Sequence, residues 1–80
     1  MEDAMHKLIS LLNDLEAHNL FYRLSKHSEH AIMVEIAVPG ERWEVEFWQD
    51  GRVITERFRR DGVMLDNEAD LRALIAEFTD

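Results

Sequence analysis

Eighty residues, 46% hydrophobic and 32% charged, suffice for one folded domain, residues 1–80, and leave little volume for an enclosed active site. The 17 acidic residues outnumber the 9 basic ones, and the formal charge of −8 repels nucleic-acid phosphates and anionic membranes while favouring encounter with a basic protein. No cysteine is present, the start Met1-Glu2-Asp3 lacks a basic, apolar leader, and no apolar stretch reaches bilayer length, so a cytoplasmic location is expected.

The first predicted element is a helix from about Glu2 to Asn19. Met5, Leu8, Ile9, Leu12 and Leu15 recur at spacings of three and four, with Ala4 and Leu11 widening the stripe. Glu2 and Asp3 suit the positive end of the helix dipole, and Asn19 is a C-terminal stop. Leu20 to Ser25 reads as a short strand, followed by a polar loop from Lys26 to His30. Ala31 to Val38 alternates apolar residues at Ile32, Val34, Ile36 and Val38. Pro39-Gly40 predicts a turn, because proline presets φ at the first central position and glycine accepts positive φ at the second. Glu41 to Gln49 alternates again, Asp50-Gly51 predicts a second two-residue hairpin, and Arg52 to Arg60 is the fourth strand. Asp61-Gly62 closes that strand. Asp66 or Asn67 is expected to cap a final helix whose apolar face is Leu71, Leu74, Ile75 and Phe78.

The expected fold is therefore α+β: helix, four-stranded antiparallel meander, helix. Both helices should cover one sheet face in a two-layer sandwich. Two-residue loops at both turns would set Ile36 opposite Trp43, Val34 opposite Val45, Phe47 opposite Ile54 and Trp43 opposite Phe58. A one-residue shift of the second pairing would set Trp43 against Arg57 and Glu44 against Glu56, which is less favourable on both counts. The preferred register puts Glu56 on the core face, where either an edge position lets its carboxylate reach water or a bulge turns it away, the edge being favoured because the fourth strand should border the sheet.

The same register leaves Met33, Glu35, Arg42, Glu44, Glu46, Trp48, Val53, Thr55, Arg57 and Arg59 on the open face, with Phe21 and Arg23 joining from the first strand. A tryptophan ringed by carboxylates is a candidate docking patch for a basic protein. The competing reading is a solvated face with cross-strand pairs such as Glu44–Arg57. The partner-binding candidates are Trp48, Glu35, Glu44 and Glu46, with Met33 and Arg57 supporting.

Chemistry is not expected. There is no GxSxG, no glycine-rich phosphate loop and no CxxC. His27, Glu29 and His30 are three possible metal ligands in a short loop, without the fixed frame that a zinc site needs. Asp14 and His18, one helical turn apart, read as a surface pair. No catalytic residue, cofactor or metal is assigned, and the chain is expected not to be an enzyme.

The run from Ala31 to Phe47 (AIMVEIAVPGERWEVEF), continuing into Asp50-Gly51, Glu56-Arg57-Phe58 and Asp61-Gly62, resembles small bacterial immunity proteins encoded beside polymorphic or contact-dependent toxins. The resemblance runs from the second strand to the turn before the last helix and rests on turn residues and alternating apolar ones. It implies a cytoplasmic antitoxin that binds and neutralises a cognate toxin domain, often a nuclease and therefore basic. The chain itself is expected to be a monomer or a weak homodimer. The main alternative is an acidic secretion chaperone or another small protein-binding adaptor. A small enzyme or metal protein, and a structural subunit pairing through its fourth strand, are further alternatives.

Overall fold

The computed structural model describes residues 4–59, 62–67 and 75–76. Helix α1 spans Ala4–Ala17 and is followed by five strands: β1 Phe21–Ser28, β2 Ala31–Val38, β3 Glu41–Trp48, β4 Val53–Arg59 and β5 Gly62–Asn67. They form one antiparallel sheet in the order β1-β2-β3-β4-β5, a meander in which each strand pairs with its neighbour in sequence. The α+β class and the four expected strands are present. The fifth strand corrects the expectation that Asp66 or Asn67 caps a helix: Asp66 lies opposite Thr55 and Asn67 opposite Ile54 in the β4–β5 ladder. The expected final helix falls outside the described residues except for Ile75 and Ala76, which are helical.

α1 ends as its sequence suggests. Asn19 takes a left-handed conformation (φ 57°), and the Leu20 and Asn19 amides donate to the Leu15 and Glu16 carbonyls at 2.9 and 3.2 Å. That is a Schellman closure, with asparagine supplying the left-handed residue. The His18 ring nitrogen meets the Asp14 backbone carbonyl at 2.8 Å, so this pair belongs to the helix end. β1 is longer than expected. It runs through most of the polar segment to Ser28, with a bulge between Lys26 and Ser28 before the Glu29-His30 turn.

The first hairpin has the expected register. Val38 lies opposite Glu41, Ile36 opposite Trp43 and Val34 opposite Val45, and Gly40 (φ +80°) supplies the positive φ that the turn demands. The second hairpin does not. Phe47 faces Val53, Val45 faces Thr55, Glu44 faces Glu56 and Trp43 faces Arg57. The cause is the turn. Its loop holds three residues, Gln49-Asp50-Gly51, because the Trp48 amide donates to the Arg52 carbonyl and the Gly51 amide to the Trp48 carbonyl, both at 2.9 Å. Gly51 sits at φ +96°, the left-handed residue that completes a three-residue hairpin. One added loop residue turns every β4 side chain to the other face.

The core lies between α1 and one sheet face. Val34, Ile36, Trp43 and Val45 are fully buried and pack with Leu11 and Leu15 of α1 and with Ile75. Leu11 therefore belongs to the centre of the helix stripe, while Met5 and Ile9 are exposed. Burying each large apolar side chain contributes about 1.5–3 kcal/mol, so these contacts fix which face of the sheet is covered.

Candidate protein-binding face

Period-two alternation places Glu35 on β2, Glu44, Glu46 and Trp48 on β3, and Glu56 on β4 on the face away from α1. Arg23, Glu35, Glu44 and Glu56 stand directly opposite one another on successive strands, forming one transverse row. Side chains so opposed are about 4.5–5.5 Å apart at Cβ, and like charges at that spacing destabilise a strand pair. Unless cations match it, such a row costs the isolated chain stability.

Part of that charge is matched. Arg23 donates to Glu35 at 2.8 Å, and Arg42 approaches Glu44 at 3.3 Å. The hydrogen bond from Arg23 holds the Glu35 carboxyl below its usual range, with the charges of Arg23 and Arg42 acting in the same direction. Glu35 thus remains ionised well into mild acid. Glu56 has no ion-pair partner among the described residues, so the row keeps an uncompensated negative end. Arg42 also lies over the Phe58 ring, 4.7 Å from its centroid, which places Phe58 on the open face rather than in the core.

The other predicted residues are distributed less evenly. Trp48 is at the far end of β3, half-buried, with the Arg52 guanidinium 4.6 Å from its ring centroid. Arg52 is in turn held by Asp50 at 2.9 Å. Trp48 is thus a marginal, partly covered aromatic and not a central anchor. It lines an open groove with His30, Gln49, Asp50 and Arg52, and its indole nitrogen is buried without a hydrogen-bond partner among the described residues. Met33 shares the open face but is only 6% exposed, so it offers a partner almost no surface.

Arg57 is the clear correction. The one-residue register change carries it to the α1 side of the sheet, where it is buried and ion-paired with Glu41 at 2.8 Å. The same Glu41 oxygen accepts from the Trp43 indole and from Arg57 Nε. Arg57 therefore cannot touch a partner, and the expected Glu44–Arg57 pair does not form. Val53, Thr55 and Arg59 change faces with it, and Glu56 replaces them on the open side. Sequence reasoning does not reach Glu56, because Asp50-Gly51 carries the signal of a two-residue loop. Its awkward burial in that register was the available signal that one more loop residue was needed.

Near the Glu29-His30 turn, His30 Nδ1 lies 3.2 Å from the Gln49 side-chain oxygen. Among the described residues no three metal-ligating side chains come together. None of the described helices is long and apolar enough to cross a membrane. No protein-family model matches the chain, and no curated protein or solved structure is significantly similar to it.

Proposed function

We propose that this chain is an immunity-type inhibitor that binds a basic toxin domain in the cytoplasm and neutralises it by occlusion, without catalysis. The observation that carries the reading is the row Glu35, Glu44 and Glu56, reinforced by Glu46, on the sheet face opposite α1. A row of opposed carboxylates is unfavourable in isolation, and a cationic surface laid against it removes that repulsion. A toxin domain that binds RNA or DNA must itself carry such a surface. In this reading the chain is a two-layer sandwich with both helices on one side, which leaves the other side for the partner. The burial of Ile75 beside Leu11 and Leu15 supports that layering.

The test is co-expression with a toxin domain encoded beside this chain. The wild type is expected to protect the cell and to co-purify with the domain. Glu44→Lys combined with Glu46→Lys is expected to weaken binding by several kcal/mol, because opposed charges become like charges in a desolvated contact. Adding Glu56→Lys should weaken it further. Undiminished protection by the triple variant, at equal expression, would remove the carboxylate row from the mechanism.

A further inference from the structure

We propose that strand β1 and the adjoining side of α1 form a dimerisation surface whose partner is a second copy of this chain. β1 is an outer strand of the sheet, eight residues long, without proline. Its outward backbone groups are a template for another strand. Beside it the chain exposes large apolar side chains that a monomer gains nothing by showing: Met5 at 63%, Ile9 at 49% and Leu24 at 49%.

These residues form one strip. At one end of α1, Glu16 accepts the Tyr22 hydroxyl at 2.6 Å. Near the other end, Met5 and Lys26 line the same groove. α1 therefore runs antiparallel alongside β1, with Ile9 between Met5 and Glu16, and Leu24 between Tyr22 and Lys26. Tyr22, Leu24 and Lys26 lie opposite Ile36, Val34 and Ile32, whose side of the sheet carries the core, so all three point to the α1 side.

The charges select the partner. A lysine on an edge strand discourages pairing with any strand that offers it no carboxylate. A two-fold axis through Leu24 sets Leu24 against its own copy, Arg23 against Ser25, and Tyr22 against Lys26 of the other copy. Because Glu16 is bound to Tyr22, each Lys26 then arrives beside a Glu16 carboxylate, twice by symmetry. Arg23 stays engaged with Glu35 on the opposite face. The result is an isologous interface: a continuous antiparallel sheet with Met5, Ile9 and Leu24 of both copies enclosed between the two helices. None of the carboxylates of the open face takes part, so this inference stands or falls independently of the proposed function.

The chain has no cysteine, so a single Leu24→Cys substitution gives an unambiguous probe. Directly opposed residues of an antiparallel pair have Cα atoms about 4.5–5.5 Å apart, inside the disulfide range of about 4.4–6.8 Å. Under mild oxidation Leu24→Cys is expected to give a covalent dimer, while Ala37→Cys, exposed on the other face of the sheet, stays a monomer. In sedimentation equilibrium the unsubstituted chain is expected to give twice its mass of 9.4 kDa. Lys26→Glu should weaken that association about tenfold, since it faces Glu16 of the partner copy, and adding Glu16→Lys should restore it. The proposal is overturned if the unsubstituted chain remains a 9.4 kDa species even at about 1 mM, or if Leu24→Cys crosslinks no faster than Ala37→Cys.

Discussion

Replacing Glu41 by alanine tests the register of the second hairpin more directly than any surface change. Glu41 and Arg57 retain only 6% and 10% of their side-chain exposure, and one Glu41 oxygen accepts from the Trp43 indole and from Arg57 Nε, with Arg57 Nη2 2.8 Å away as the ion-pair contact. Glu41→Ala leaves a buried guanidinium without its counter-charge and removes the carboxylate that accepts from the Trp43 indole. Breaking a buried pair on one side costs about 3–5 kcal/mol. An 80-residue chain has roughly 4–12 kcal/mol of total stability, so the variant should be close to unfolding at room temperature. Arg57→Met should cost a similar amount, because it strands the carboxylate. The double variant Glu41→Leu, Arg57→Met should be far less damaged than the sum of the two single changes, because it leaves no buried charge unpaired. Urea unfolding followed by tryptophan fluorescence gives all three midpoints. In the two-residue-loop register Arg57 would sit on the open face, where its loss would be worth less than about 0.5 kcal/mol. A loss that small would refute the buried clamp and with it the observed pairing of β3 and β4.

Two further outcomes follow from the same geometry. Thr55 is fully buried opposite Val45 and its hydroxyl has no hydrogen-bond partner among the described residues, so Thr55→Val should raise the urea midpoint by the equivalent of about 1 kcal/mol; a lower midpoint would mean the hydroxyl is satisfied. Tyr22 is the single tyrosine, and its hydrogen bond to Glu16 raises its pKa above the ordinary 10.0. The raised value means that this bond stabilises the fold below pH 10 and that the contribution disappears as pH rises through the folded-state pKa. Phenolate absorbance should therefore titrate above 10, Glu16→Gln should lower the midpoint towards it, and an unshifted Glu16→Gln titration would contradict the contact.

Much of the fold was legible because local signals agreed with one another. The α1 stripe, the Asn19 stop and the Pro39-Gly40 turn each have a residue-level cause, and the β2–β3 register follows from them. The errors have physical causes as well. Asp50-Gly51 carries the same dipeptide signal whether glycine ends a two-residue loop or occupies the left-handed third position. Only long-range packing distinguishes these, through the burial of Trp43 beneath the Glu41–Arg57 pair. Asp66 and Asn67 resemble helix caps because short polar side chains serve caps and strand ends alike, and pairing with β4 decided between them. Alternation along β2 and β3 gives the facing of Glu35, Glu44, Glu46 and Trp48, all on the open side. It does not give whether a neighbour such as Arg52 covers the Trp48 ring.

The fold and the candidate face depend on the same loop residue. Gly51 sits at φ +96° with open space on the side a side chain would take, so its requirement is conformational and not steric crowding. With that third residue present, β4 presents Thr55 and Arg57 to α1 and Glu56 to the open side. Arg57 can then close over Trp43 and pair with Glu41, and that buried pair opposes slippage back to the alternative register. The carboxylate row is the other half of the same choice: the register that places Arg57 inside also aligns Glu56 with Glu44 and Glu35. Arg23 and Arg42 offset the repulsion along that row at Glu35 and Glu44, while the Arg57–Glu41–Trp43 contact holds the strands in register. A turn that costs one extra residue thereby gives the chain both its anchored core and an acidic surface suited to a cationic partner.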